Sequence, residues 1–229
     1  MKKREVQASV KDERLIQKRR DQIINGAVAL IKEKGFHRTT TREIAQASGF
    51  SIGTLYEYIR TKEDVLYLVC DRIYDEVSVR LYDILVTELG TIEGLQLAIA
   101  NYFQLMDEMQ DDVLVMYQEV KALSKDALSY VLQKELKLVE LFRQLLERCV
   151  QNNELTLTEK QIEMAAHNIY VQGQMWGFRR WALGKMLSLE EYIELQTFFL
   201  IEGVKVKREE SCQTPLSSLT GKSTLTGSE

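Results

Sequence analysis

Residues 40 to 64, TTREIAQASGFSIGTLYEYIRTKED, constrain the fold more than any other stretch, because they carry three helix starts around one glycine turn. Thr40 with Glu43 has the spacing of a capping box, in which each residue satisfies an orphan backbone donor of the other. Ile44, Ala45 and Ala47 give the short helix that follows an apolar side. Gly49 stands where a helix end needs a positive φ. Ser51 caps the next helix, with Leu55 and Ile59 facing the core, and Thr61 with Asp64 repeats the capping spacing for a third. Two short helices joined by a tight Gly turn predict a helix-turn-helix, the second being the recognition helix. A helical hairpin without a nucleic-acid role is the alternative on pattern alone.

The exposed residues of this stretch suit DNA. Ile52, Gly53 and Thr54 lead the second helix, where side chains reach base edges without a long lever. Tyr56 and Tyr58 offer hydroxyls to phosphates or rings to thymine methyls. Lys62, in the first turn of the third helix, adds a cation to the amides of that helix end. Arg38, Thr40, Thr41, Arg42 and Ser51 complete the predicted contact set.

The string T-T-x-x-E-I-A-x-x-x-G-x-S-x-G-T-L-Y-x-Y-x-x-x-K-E-x-x-L, from Thr40 to Leu66, resembles the DNA-binding domain of TetR/AcrR-type transcriptional regulators. Residues 23 to 36, IINGAVALIKEKGF, are similar to the first helix of that domain. The likeness implies an all-α protein with an N-terminal three-helix DNA-binding domain and a C-terminal helical domain that binds a ligand and dimerises. Phe50, Ile52 and Ile59 depart from the usual pattern. Phe50 and Ile59 are expected only to repack the core, whereas Ile52 bears on the operator sequence.

Charge divides the same way. Residues 1–62 hold 14 Lys/Arg against 7 Asp/Glu, and the remainder holds 16 against 27. A basic head on an acidic body fits a DNA-binding module attached to a body that avoids DNA. No run of about 18 apolar residues predicts a membrane span. The N-terminus has no apolar segment after its charges, so cytoplasmic residence is expected. Cys70, Cys149 and Cys212 are too scattered for a disulfide framework or a zinc site, and neither a metal nor a cofactor is expected.

Along the chain, residues 1–13 read as a flexible basic arm in which Lys2, Lys3 and Arg4 could follow the DNA backbone. Residues 14–62 form the helix-turn-helix domain, 63–206 the ligand-binding and dimerisation domain, and 207–229 a disordered Ser/Thr/Gly-rich tail. Ile24, Ala27, Val28 and Ile31 recur at helical spacing up to Lys34. From Lys62 a long apolar stripe, Leu66 to Ile84, carries the head into the body without a flexible linker. Further helices are expected over 92–109, 113–123 (after a turn at Asp111 and Asp112) and 126–151, then from Thr158 to 183 and from Ser188 onward. The tail's GKST lacks the first glycine of a phosphate loop.

In the body, Gly173 and Gly177 are one helical turn apart, with Gly184 two turns later, so a partner helix could approach closely. With Trp181, Phe198 and Phe199 they make the predicted dimer interface, which the family likeness also implies. Packing of both helices within one chain is the alternative. Trp176, Arg179 and Arg180 pair aromatic surface with cations in an acidic body, and MWGFRRWAL followed by SLEEYI resembles regulators that respond to acyl-CoA thioesters. Tyr102, Phe103, Met106, Met109, Met116 and Tyr117 are the candidate lining of a ligand cavity, or alternatively ordinary core. The sequence therefore predicts a ligand-released repressor that binds a palindromic DNA operator as a homodimer, its effector an acyl-CoA thioester with phosphates near Arg179 and Arg180. A constitutive architectural DNA-binding protein and a small-molecule enzyme are the competing classes.

Overall fold

The computed structural model describes residues 6, 8–87 and 90–205. Lys2, Lys3, Arg4, Cys212 and the predicted tail lie outside the described residues. Every regular element among the described residues is helical: α1 Glu13–Lys34, α2 Thr41–Ala47, α3 Ile52–Tyr56, α4 Lys62–Thr87, α5 Ile92–Glu108, α6 Gln110–Glu119, α7 Lys125–Gln151, α8 Glu159–Leu183 and α9 Leu189–Lys205, with a 3-10 turn at Val120–Ala122. No described helix is long and apolar enough to cross a membrane.

Local chemistry sets most of the starts. Asp12 caps α1 through the amides of Arg14 and Leu15. Thr40 and Thr158 each sit in a reciprocal capping box, with Glu43 and Gln161 respectively. Thr91 and Ser124 accept from the amides of Gly94 and Ala127. At the start of α4, the Asp64 carboxylate accepts from the amides of Arg60 and Thr61, at 3.0 Å each. Gly49 has φ +75°, as the turn requires.

The predicted turn at Asp111 and Asp112 is instead the first turn of α6. The break falls at Met109, which ends α5 and begins α6 without a side-chain cap. Asp112 is buried because it receives a cation: Arg72 of α4 donates through Nη2 to both carboxylate oxygens, at 2.6 and 2.7 Å, and through Nη1 to Asn25 of α1 at 2.7 Å.

Part of the segment predicted as a free arm is anchored. Val6 is buried, its carbonyl accepts from Arg20, and the Ser9 amide donates to the Glu57 carbonyl at 2.8 Å.

Glu43 gives the head an acid-sensitive clasp. A hydrogen bond from Lys34 of α1, then those from Thr40, lower its carboxyl from 4.5 to about 2. A depressed folded pKa contributes stability that is complete above the unfolded value and lost as pH falls through the folded one. The head should therefore lose stability as pH falls from 4.5 to about 2, and Glu43→Gln should flatten that part of the profile. A thermal-unfolding series from pH 6 to 2 on both proteins checks it.

Candidate DNA-contact face and body cavity

In the head, α2 and α3 expose one polar side. Ile44, Ala45, Leu55 and Ile59 are buried against α1 residues such as Ile24, Ala27 and Ile31. Arg38, Thr40, Arg42, Ser51, Gly53 and Tyr56 are exposed, and Thr41 and Thr54 are half-exposed. Hydrogen bonds fix the face: Ser51 Oγ accepts from the Thr54 amide at 3.0 Å, and the hydroxyls of Thr41 and Tyr56 meet at 3.1 Å across the two helices.

Three predicted contacts stand differently. Tyr58 is 4 % exposed and belongs to the core, because it lies beyond the end of the five-residue α3 on the side of Leu55. Ile52 is half-buried and packs on the core, away from full exposure. Lys62 is held by the head itself, donating to the carbonyls of Phe36 (2.9 Å) and His37 (3.4 Å) above the Phe36 ring. Phe50 is half-buried under the Arg19 guanidinium, and Ile59 is fully buried.

The head rests on α6. Lys32 pairs with Asp111 at 2.6 Å, the Phe36 amide donates to Glu119 at 3.1 Å, and Asn25 shares Arg72 with Asp112. The opposite side of α6 is one wall of a cavity of about 230 Å³, open to solvent on one side, that it forms with α4, α7 and α8. Its lining is Tyr74, Val113, Met116, Tyr117, Val120, Val131, Leu132, Glu135, Gln174 and Phe178. Tyr117 stacks on Phe178 at 4.3 Å between ring centroids.

Of the predicted ligand set, Met116 and Tyr117 line this cavity. Tyr102, Phe103 and Met106 do not. They fill solid core, where the Tyr102 hydroxyl donates to the Tyr170 carbonyl at 2.9 Å and its ring packs between Phe142 and Tyr170. Met109 is the α5–α6 joint. Trp176 is buried against Tyr192 and donates to Asp107 at 2.7 Å. Arg180 pairs with the same carboxylate, so its charge is already met. Arg179 is exposed and lies over Trp181. Sequence reasoning missed Glu135, Gln174 and Phe178. Glu135 had a signal: it falls four residues from Val131 and from Val139, on the buried stripe of α7.

The predicted glycine seam faces inward. A Cβ on Gly173 would stand 2.3 Å from Tyr102 Cε1, and one on Gly177 would stand 2.9 Å from Val113 Cγ1. Both glycines therefore admit α5 and α6 of the same chain, because α8 is central and its glycines lie on its inner side. Gly184 is the exposed C-cap of α8. Trp181, Phe198 and Phe199 are exposed, along with Met164, Val171 and Leu195 on the same two helices and Met186 in the turn between them.

Comparisons with known proteins agree with this architecture. The profile of the bacterial regulatory proteins of the tetR family matches residues 23–67, and that of the tetracyclin repressor-like C-terminal domain matches residues 88–175. The HTH-type transcriptional regulator HbdR of Aromatoleum sp. (strain CIB) is 25 % identical over 197 residues, spanning 86 % of this chain and 85 % of the relative. Among solved structures, a tetR-family regulatory protein from Rhodococcus RHA1 superposes with a TM-score of 0.73 at 19 % identity, covering 83 % of this chain and 98 % of the other. AibR, solved with isovaleryl coenzyme A and operator DNA, has a TM-score of 0.68 at 17 % identity over 80 % of this chain and 98 % of its own. With both domains matched, the chain belongs to the TetR family of helix-turn-helix transcriptional regulators.

Proposed function

We propose that this regulator is a homodimeric repressor whose operator contacts come from Arg38, Thr40, Thr41, Arg42, Ser51, Gly53, Thr54 and Tyr56, and which an acyl-CoA thioester releases from DNA. The observation that carries the reading is α6. One of its sides lines the cavity and the other holds the head through Asp111, Asp112 and Glu119. A ligand that fits the cavity better in one placement of α6 than in another shifts the balance between DNA-competent and DNA-incompetent states by that difference in affinity. A constitutive architectural protein has no use for a cavity behind its head, and the likeness to transcriptional regulators supports reading this chain as a cytoplasmic non-enzyme.

The dimer reading rests on α8 and α9, where Trp181, Phe198 and Phe199 are large apolar side chains left exposed in the single chain. A self-complementary face of this kind closes as a two-fold pair. The acyl-CoA reading rests on the AibR complex as a precedent within this fold. Arg179 is the remaining cation for its phosphates, since Arg180 is occupied by Asp107.

Operator titration tests this reading. Tyr56→Ala and Arg42→Ala should both weaken binding while leaving the dimer intact, and Arg42→Ala should also lower the salt slope by about one. Phe198→Asp combined with Trp181→Asp should give monomers by sedimentation, with loss of tight operator binding as the two heads become independent. Wild-type operator affinity in both head variants would remove α2 and α3 from the DNA.

A further inference from the structure

The cavity wall is mostly apolar. Val113, Met116, Val131 and Phe178 offer carbon, whereas Glu135 and Gln174 bring a carboxyl and an amide to the same space. Gln174 is engaged, donating to the Tyr170 hydroxyl at 2.7 Å. Glu135 has no Lys or Arg partner among the described residues. Its favourable neighbours are the Tyr170 hydroxyl and His167, and burial, the larger effect, lifts its carboxyl above the usual range. A carboxyl at an otherwise apolar wall is costly unless something donates to it. The Tyr170 hydroxyl supplies one donor, and a ligand hydroxyl in the cavity would supply another to the remaining lone pairs of the carboxyl.

Size supplies the second constraint. A cavity of about 150 Å³ holds one benzene. The space here, about 230 Å³, takes a group of ring size with a substituent and is too small for a long chain. The entrance is apolar as well, since Tyr117 and Leu132 are exposed at its edge.

We propose that this cavity selects a compact apolar acyl group bearing a hydroxyl directed at Glu135, and that straight saturated chains are poor effectors. This deepens the reading above and rests on its assumption that the effector is a coenzyme A thioester.

The test uses full-length dimer on its operator, titrated with pentanoyl-CoA, 5-hydroxypentanoyl-CoA and hexadecanoyl-CoA. The hydroxylated thioester should release DNA at a concentration about 10- to 100-fold below the pentanoyl one, the range for one hydrogen bond to a charged group. Hexadecanoyl-CoA should be the weakest. Glu135→Leu should abolish or invert the hydroxyl preference, and Glu135→Gln, which still accepts a hydrogen bond, should keep part of it. Equal release by the two short thioesters in wild type, or an unchanged ratio in Glu135→Leu, would overturn the proposal. The same acyl groups as N-acetylcysteamine thioesters, followed by thermal shift, separate the two layers. A hydroxyl preference there, without release by any coenzyme A thioester, sustains the cavity's selectivity and refutes the coenzyme A reading. Absence of a preference in both series refutes the selectivity.

Discussion

Arg72→Met is expected to lower the unfolding free energy by about 3–5 kcal/mol, the usual cost of leaving one member of a buried ion pair alone. Asp112 is only 8 % exposed, and both its oxygens take their hydrogen bonds from Arg72. Burial already lifts the Asp112 carboxyl above its ordinary 3.8, while Arg72 pulls the other way. Without the guanidinium, that upward push acts unopposed. A raised folded pKa means stability that is present at low pH and lost as pH rises through it. The variant's deficit should therefore be smaller near pH 5 than near pH 8. Arg72→Met combined with Asp112→Leu should recover most of the stability, because an apolar pair of similar volume needs no partner. The double variant still lacks the link to Asn25, so its response to effector should be blunted even though it is stable. Denaturant unfolding of the three proteins at the two pH values decides the matter, and a single variant as stable as wild type would falsify the role given to the pair.

Gly173→Leu should be the most damaging change in α8. Overpacking commonly costs about 1–3 kcal/mol and more where neighbours cannot yield. Here the obstacle is the Tyr102 ring, 2.3 Å from the added Cβ. It cannot swing aside freely, since its hydroxyl is bonded to Tyr170 and its ring packs against Phe142 and Phe103. Even alanine, which would otherwise gain up to about 1 kcal/mol in helix propensity, should come out destabilising. Gly177→Ala meets a Val113 methyl at 2.9 Å instead, so it should cost less. Thermal melts give the ranking, and sedimentation tells this core role from an interface role. Gly173→Ala should lower Tm with the dimer retained. Dissociation at unchanged Tm would return the glycine to the interface.

These two glycines also show what the sequence could and could not disclose. A spacing of four puts them on one side of a helix but says nothing about which helix lies opposite. In the head the information is local: a Thr and an acid three residues apart define a cap whatever surrounds them, so α2 and the starts of α3 and α4 are legible in the sequence. Tyr56 and Tyr58 show where local reasoning ends. Both carry hydroxyls at the end of a short helix, and only the early stop of α3 sends one outward and the other into the core. The charged groups of the body failed for a related reason. Asp107 and Asp112 take their meaning from Arg180 and Arg72, 73 and 40 residues away in the chain, and Glu135 from a cavity wall built largely by other helices.

The Glu119 contact limits how this protein can be rebuilt. A head cut out after Lys62 would keep the Lys62 bonds to Phe36 and His37, but the Phe36 amide would lose its acceptor and Asn25 its guanidinium. The loop that feeds α2 into position would then be held from one side only. A chimera that grafts residues 1–62 onto a foreign body thus needs a carboxylate where Glu119 stands and an arginine where Arg72 stands. Without them the graft should recognise its operator with a loosened reading head and ignore whatever its new body binds.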